Sequence, residues 1–322
     1  MTLELQYSTP QAEGLNAEML DGLDYFLKQR RYRLVNSVLV VKNGKIVFER
    51  YYNKYNENSR NHIKSIWKSI LSLLTGICLD KGMIRSLDEP IGDYLAAFQM
   101  GVHPYHKAIT IRHLLTMSSG IYWNGGVHYH CPMVEQMKRL RDWIAHVADV
   151  AMKDYPGSTY VYKEWDALLL SAVIGNAFGN TSYELCEELL YKPLGILSGK
   201  WAESPCGVSY TVMKGEEHSD LSARDLAKIG LLVLNNGIVE GKRIISEHYI
   251  KEMLRPTENN SSYGYLWWIL ENGYGCRGFG GQEINILPKH NMITVIQATP
   301  TPSSKTYGDI HKDVLEKSVV LA

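Results

Sequence analysis

The sequence predicts a mixed α/β fold, in which an antiparallel sheet flanked by helices adjoins a mostly helical lobe. β-Branched and aromatic runs lie near both ends of the chain, whereas the long middle has the three- and four-residue apolar spacing of helices. The 322 residues are enough to bury a large core. We therefore expect one unit of two lobes, with residues 1–62 and 255–322 in the sheet lobe and residues 63–254 in the helical lobe.

The N-terminal segment predicts a helix followed by a hairpin. Leu20, Leu23 and Leu27 recur at helical spacing within residues 17–31. Two β-branched runs between residues 37 and 52 then flank Asn43-Gly44, a strong two-residue turn signal.

The remaining elements follow from caps and periodicity. Thr110 is expected to cap a short helix that stops at Gly120, and Asp220 or Ser222 to open a helix that runs through Leu234. The β pattern returns near the C-terminus, where the expected elements are a strand at 265–270, paired strands at 283–287 and 292–298, and a closing helix at 309–320.

Composition excludes several classes of protein. The 34 basic and 34 acidic residues balance, so nothing directs the chain to nucleic acid or to an anionic membrane. No run of 18 apolar residues predicts a membrane span. The five Cys are odd in number and scattered, which favours reduced thiols and a cytoplasmic location. The N-terminus lacks a secretory leader, although a leader trimmed from this sequence stays an open alternative.

One predicted helix, at about residues 64–82, combines a buried surface with a narrow polar stripe. Apolar residues cover most of it, as expected for a helix inside a core. The exceptions fall at spacings of three and four and are Ser65, Lys68, Ser69, Ser72, Thr75 and Gly76.

Ser65 and Lys68 lie one turn apart on that stripe, so their side chains can meet. Poor solvation beside a buried helix is expected to lower the pKa of Lys68 towards neutrality, and a neutral amine can accept the Ser65 proton. Ser-x-x-Lys alone is weak, because 23 Ser and 21 Lys give roughly one or two chance matches. The hypothesis depends on the rest of the site.

Several further segments, in order, carry a family resemblance. They include Ile109–Gly120, Pro156–Tyr162, Leu221–Ala227 and Gly278–Gln282. Together with Ser65-Ile-Trp-Lys68, they resemble the penicillin-binding-protein-like serine hydrolases over about residues 9–298. That family includes class C β-lactamases, D,D-peptidases, esterases and 6-aminohexanoate-dimer hydrolases, and the likeness is closest to the esterase and dimer-hydrolase branch. A β-lactamase/transpeptidase-like fold is implied.

The resemblance assigns a second proton carrier and exposes a departure. Tyr162 takes the position of the family's catalytic tyrosine, although a core tyrosine near a turn would be the ordinary interpretation without the resemblance. The family often has Tyr-Ser-Asn there, whereas this chain has Tyr162-Lys163-Glu164. A Glu164 carboxylate near Lys68 would favour the ammonium form, unless it points away. The change argues against β-lactamase activity more than against hydrolase activity.

The strand motif departs as well. Where β-lactamases have Lys-Thr-Gly, this chain is expected to have Phe279-Gly280-Gly281, whose glycines would admit a substrate backbone. The N–H of Gln282 is the predicted second oxyanion donor, with a register uncertainty of one or two residues. Trp123 is expected either to line the substrate pocket or to pack under its loop.

Two separate motifs, His103-x-x-His106 and His128-x-His130-Cys131, suggest a metal site. Their spacing is too loose without further ligands, so we expect solvated loop histidines and no metal.

The sequence therefore predicts a serine hydrolase that cleaves an ester or amide bond through a Ser65 acyl-enzyme, with Lys68 and Tyr162 as proton carriers and no cofactor. The expected partner is a small ester, amide or short peptide-like substrate. Two alternatives stay open: an acyltransferase or transpeptidase that uses the same acyl-enzyme, and a non-catalytic ligand-binding protein. The oligomeric state is also open.

Overall fold

A computed structural model describes residues 3–101, 103–125, 131–197, 200–211, 220–301 and 306–320. Its main sheet has seven strands, which lie in the order β1 (Gln6–Tyr7), β3 (Lys45–Tyr51), β2 (Val35–Lys42), β13 (Met292–Ala298), β12 (Gln282–Leu287), β11 (Gly273–Gly278) and β10 (Trp268–Leu270). All neighbours in that sheet are antiparallel except β1, which runs parallel to β3. The predicted fold class, a sheet built from both ends of the chain, is confirmed.

The short strands, each paired with one partner, are β4 (Asn61–His62) with β7 (Asp220–Leu221), β5 (Ala202–Glu203) with β6 (Ser209–Tyr210), and β8 (Ile238–Val239) with β9 (Lys242–Arg243).

The α-helices are α1 (Ala17–Asp21), α2 (Leu23–Leu27), α3 (Ile66–Asp80), α4 (Ala96–Gln99), α5 (Ile111–Leu115), α6 (Pro132–Met137), α7 (Trp143–Asp149), α8 (Glu164–Phe178), α9 (Ser182–Cys186), α10 (Lys192–Leu194), α11 (Ala223–Leu234), α12 (Glu247–Met253) and α13 (Gly308–Ile310). Two π-helical segments (Glu187–Tyr191 and His311–Glu316) and five 3₁₀ turns (Gln11–Glu13, Arg30–Tyr32, Ile91–Asp93, Pro104–Ala108 and Pro288–His290) complete the described elements.

The turn between β2 and β3 has the geometry that its sequence predicts. Asn43 and Gly44 both have positive φ angles, 53° and 78°. Such angles match the twist of a two-residue hairpin and suit Asn-Gly. β13 then pairs with β2 and joins the two ends of the chain, with Val295 opposite Leu39.

The sheet separates two apolar clusters. One cluster lies with α1, α2 and the C-terminal helical segment, and it includes Leu20, Leu23 and Leu315. The larger cluster contains α3, α8, α11 and the remaining helices, and it includes Trp67 and Trp165. Alternate residues of the central strands supply both clusters, as expected for a sheet that is covered on two faces.

Helix α11 begins as predicted. The Ser222 side chain caps it by accepting a hydrogen bond from the Asp225 N–H, and the Asp225 side chain bonds back to Ser222. This helix lies within residues 63–254, yet it packs against β2, β12 and β13. By its packing, α11 belongs with the sheet, although its residues fall within the range predicted for the helical lobe. The division of the chain into two lobes remains a prediction.

Three predicted elements are shorter than expected. The strand at 265–270 is reduced to β10, because Leu266 has a φ of 58° and its N–H bonds to the Leu115 carbonyl instead of a strand. The helix after Thr110 ends at Leu115, before the positive φ of Met117. The helix at 17–31 divides into α1 and α2. None of the helices in the described ranges is long and apolar enough to cross a membrane.

Candidate active site

Ser65 stands immediately before α3, at the end of a strained turn. Lys64, the preceding residue, has a φ of 52°, and its N–H donates to His62 Nδ1 at 3.1 Å. A lysine with a left-handed backbone costs of order 1–3 kcal/mol, and such strain is common at functional sites. The turn holds the Ser65 side chain partly exposed at the mouth of an otherwise buried helix, since Ile66 to Cys78 are all buried.

The other members of the polar stripe pack against neighbouring elements. Ser69 Oγ donates to the Leu266 carbonyl at 2.7 Å, and Ser72 Oγ lies 3.3 Å from the Tyr249 hydroxyl. A Cβ on Gly76 would lie 2.5 Å from the Tyr249 ring. Only the first turn of the stripe, with Ser65 and Lys68, therefore faces the candidate site.

Lys68 joins the nucleophile to a carboxylate. Its Nζ lies 3.1 Å from Ser65 Oγ, and 2.8 Å and 3.0 Å from the two carboxylate oxygens of Glu164. Burial acts to lower the pKa of Lys68, but the charge and hydrogen bonds of Glu164, with those of Tyr162, raise it above its ordinary value. The prediction that burial brings the pKa of Lys68 towards neutrality is therefore wrong for the resting site.

Glu164 is the first residue of α8 and is positioned by more than Lys68. Tyr210, on the short strand β6, donates its hydroxyl hydrogen to Glu164 Oε2 at 3.1 Å. The N-terminus of a helix favours a carboxylate, because the first peptide N–H groups carry partial positive charge. The Glu164 side chain is 15% exposed against 3% for Lys68, so the ion pair is nearly enclosed.

Tyr162 completes the cluster that the sequence predicts. Its ring centroid lies 5.2 Å from Lys68 Nζ. The ring stacks on Trp268 with centroids 6.3 Å apart, and it meets Tyr263 edge-on at the same distance. The structure thus brings Ser65, Lys68, Tyr162 and Glu164 together, with the phenol fixed by aromatic packing.

Lys163 points to a second, separate buried cluster. Its Nζ lies 3.2 Å from Ser119 Oγ and 3.9 Å from an Asp166 oxygen. The Ser119 hydroxyl also donates to Asp166. Burial raises the pKa of the Asp166 carboxyl, while Lys163 and Ser119 act against that shift. This cluster fixes the start of α8, directly after Tyr162.

The strand that borders the nucleophile is β11. A Cβ on its last residue, Gly278, would lie 2.3 Å from the Ile63 carbonyl oxygen and 3.1 Å from Lys64 Cβ. Only glycine permits this approach to the turn before Ser65. Cys276-Arg277-Gly278 therefore occupies the strand position that we assigned to Phe279-Gly280-Gly281, which form the hairpin loop between β11 and β12.

The loop glycines and Gln282 have other contacts. A Cβ on Gly280 would meet Pro300 at 2.6 Å, and one on Gly281 would meet the Tyr307 ring at 2.2 Å. These close approaches belong to the protein's own chain, which corrects the prediction that they admit a substrate backbone. Gln282 pairs with Gly278 across the hairpin and buries its side chain against the Ala298 carbonyl. The geometry thus favours the Gly278 end of β11 over Gln282 as the oxyanion position.

The remaining predicted residues are Trp123 and the two histidine pairs. Trp123 packs edge-on against Trp165 with centroids 5.0 Å apart, so it supports the residue that follows Glu164. His106 is buried against Phe98, which corrects the expectation that it is a solvated loop histidine. His128 and His130 lie outside the described residues, and the described ranges contain no group of three or more His, Cys, Asp or Glu that could hold a metal ion.

Two features of the site were missed from the sequence. Tyr210 belongs to a two-residue strand with no motif, so nothing indicated its hydroxyl contact with Glu164. The sequence contains several glycines in this region, at 275, 278, 280 and 281, so it did not show which of them lies beside the nucleophile. An alternating pattern around Cys276 was the available signal for β11.

This fold, with a serine before a buried helix and a lysine one turn into it, is that of the β-lactamase family. The family model described as Beta-lactamase matches residues 23–315, and the chain belongs to that family. The name describes the family, whose members include amidases and esterases as well as β-lactamases.

Individual relatives are distant. The chain is 19% identical to a 6-aminohexanoate-dimer hydrolase of Paenarthrobacter ureafaciens, over 92% of this chain and 82% of the relative. A solved penicillin-binding protein of Bacillus halodurans superposes with a TM-score of 0.70 at 20% identity, covering 92% of this chain and 99% of that one. EstCE1, described as a hydrolase with promiscuous acyltransferase activity, superposes with a TM-score of 0.70 at 14% identity, covering 97% and 99%.

Proposed function

We propose that the protein hydrolyses an ester or amide bond of a small substrate through an acyl-enzyme on Ser65. The observation that carries this proposal is the 3.1 Å contact between Lys68 Nζ and Ser65 Oγ at the mouth of a buried helix. A serine hydroxyl is a weak nucleophile unless a neighbouring group takes its proton.

The proposed reaction has two steps. Ser65 Oγ attacks the carbonyl carbon while its proton passes to Lys68 Nζ. The N–H of Ser65 and a second N–H from the Gly278–Phe279 end of β11 stabilise the oxyanion. Tyr162 then protonates the leaving group, and a water molecule releases the acyl group through the same proton carriers.

The strand beside the nucleophile supports a neutral substrate. From the position of Gly278 beside Ile63, we infer that Cys276 takes the place of the lysine in the β-lactamase Lys-Thr-Gly motif. The Arg277 guanidinium donates to the Cys276 and Ile284 carbonyls. Arg277 also lies 3.7 Å from Glu283, which engages its charge. We infer that a neutral ester or amide fits better than a β-lactam, whose carboxylate needs a cation.

Acyl transfer is the second candidate, because a similar structure is that of a hydrolase with promiscuous acyltransferase activity. The same acyl-enzyme passed to an alcohol or amine instead of water would give that outcome. Product analysis in the presence of added alcohols separates the two reactions.

Covalent labelling tests the proposal. A fluorophosphonate probe should label the wild-type protein on Ser65, a fluorescent penicillin should label it weakly or not at all, and p-nitrophenyl esters should be turned over. Ser65→Ala should lose the label. Ser69→Ala is the matched control, because Ser69 lies on the same helix but donates to Leu266. If Ser65→Ala still carries the label, or if the wild type neither reacts with the probe nor turns over esters, the proposal is wrong.

A further inference from the structure

The resting site presents a chemical difficulty that involves Lys68. A carboxylate with both oxygens within 3.0 Å holds the lysine as an ammonium, and an ammonium has no lone pair with which to take the Ser65 proton. Lys68 must therefore lose a proton before or while Ser65 attacks. The described residues place one carboxylate against it, that of Glu164.

We propose that Glu164 is the proton acceptor that turns Lys68 into a base, so that Ser65, Lys68 and Glu164 form a proton relay. The proposal rests on the proposed function, since it concerns how the Ser65 hydroxyl is activated. Glu164 acts through Lys68 and does not itself contact the substrate carbonyl.

The relay balances in protons and charge. At the start the three groups are a hydroxyl, an ammonium and a carboxylate. As the Ser65 oxygen bonds to the carbonyl carbon, Lys68 passes one proton to a Glu164 oxygen and takes the Ser65 proton. Lys68 is then an ammonium again, Glu164 is a carboxylic acid, and the negative charge lies on the oxyanion. When the bond to the leaving group breaks, Tyr162 gives that group its proton and regains one from Lys68, and Lys68 recovers the proton held by Glu164.

Burial lowers the free-energy cost of moving the proton from Lys68 to Glu164. Moving an ion from water into a protein interior costs several kcal/mol, so an enclosed ion pair lies closer in energy to the neutral amine and acid than an exposed pair does. The Glu164 side chain is still 15% exposed, and a substrate bound against Ser65 and Lys68 would lower that exposure. We expect substrate binding to shift the pair towards the neutral form at the moment when the base is needed.

The other titratable groups that face the Lys68–Glu164 pair do not exchange protons with it. Tyr210 on β6 and Tyr263 before β10 face Glu164, and burial raises the pKa of both phenols well above the ordinary value. Cys131 before α6 also faces Glu164, and burial raises the pKa of its thiol. These groups stay neutral at ordinary pH. At the start of α8, Lys163 contacts Asp166, and Tyr162, which precedes Lys163, contacts Lys68.

The pH profile of Glu164→Gln tests the relay. The amide accepts a hydrogen bond but cannot accept the Lys68 proton, and Lys68 would then have to lose its proton to solvent. For the wild type, kcat/KM should stay near its maximum at neutral and mildly acidic pH, because Glu164 takes the Lys68 proton. For Glu164→Gln, we expect the acidic limb to move up by about two pH units or more. At pH 6, kcat should fall about 100-fold with little change in KM, and activity should recover at pH 9–10 to within about tenfold of the wild type. Glu164→Asp, which keeps a carboxylate, should restore the wild-type limb.

Two results would overturn the proposal. If kcat falls equally at every pH, Glu164 only holds Lys68 in position. If Glu164→Gln is more active than the wild type at neutral pH, Lys68 is the base on its own and the carboxylate suppresses it. The rate of fluorophosphonate labelling at Ser65 gives the same profile without a known substrate. A wild type that cannot be labelled contradicts the proposed function instead.

Should Glu164→Gln fail to fold, Tyr210→Phe provides the second test. It removes the hydroxyl that donates to Glu164 and favours the charged carboxylate. The relay predicts that the acidic limb of the pH profile moves up by about half to one pH unit, whereas a purely structural Glu164 predicts no movement.

Discussion

Asp166→Ala removes one half of the buried ion pair beneath the site, and we expect it to destabilise the fold strongly. The Lys163 and Asp166 side chains are 1% and 0% exposed, and their charged atoms lie 3.9 Å apart. Without the carboxylate, the ammonium retains one described hydrogen bond, to Ser119 Oγ. Breaking a buried pair in this way costs about 3–5 kcal/mol of unfolding free energy.

Urea unfolding at pH 7 measures the change directly. A loss of that size corresponds to a fall in Tm of roughly 6–10 °C, at about 2 °C per kcal/mol for a chain of this length. The control is the double variant Lys163→Met/Asp166→Leu, which removes both charges and should recover most of the loss. A change below about 1 kcal/mol for Asp166→Ala would refute the view that this pair anchors the start of α8.

Three further variants test other parts of the site. Tyr162→Phe removes the proposed proton carrier but keeps its stacking on Trp268, so we expect kcat to fall by about 10²–10⁴ with an unchanged melting temperature; equal activity would exclude the phenol from the reaction. Gly278→Ala puts a methyl group 2.3 Å from the Ile63 carbonyl oxygen, and it should slow labelling of Ser65, whereas Gly308→Ala, at a position with open space and no positive φ, should not. Glu283→Gln tests a structural carboxylate: although burial acts to raise its pKa, His311, Arg277 and the Tyr307 N–H lower it to about 2. The stability that Glu283 contributes should therefore be present above about pH 4 and disappear as the pH falls towards 2, which urea unfolding of both proteins across that range would show.

Local signals predicted the parts of the fold that short-range geometry determines. Asn43-Gly44 specifies a hairpin because both residues tolerate positive φ, and Ser222 with Asp225 specifies a helix start because the two side chains cap each other. The contact between Ser65 and Lys68 has the same origin, since one helical turn separates them.

Long-range contacts determine the parts that the sequence could not predict. The strand at 265–270 is cut short because the Leu266 N–H bonds to Leu115, far away in the chain. The sequence did not predict β11, because glycines have low strand propensity. Gly278 is nevertheless suited to this position, because a residue without a side chain can approach Ile63 closely.

The sign of the Lys68 pKa shift depends on the same kind of contact. Burial and a carboxylate act in opposite directions, and only the structure shows that Glu164 lies 2.8 Å from Nζ. Lys163 is adjacent to Glu164 in the sequence, yet its side chain points into a different cluster and contacts Ser119.

Trapping the acyl-enzyme is the most direct test of Ser65 as the nucleophile. The protein is mixed with p-nitrophenyl acetate, quenched with acid within the first turnover, digested and analysed by mass spectrometry. We predict one acetyl group on the peptide that contains Ser65, its loss in Ser65→Ala, and its accumulation in a variant that slows deacylation. Ester turnover with acetyl on a different residue, or turnover that persists in Ser65→Ala, would contradict a Ser65 acyl-enzyme.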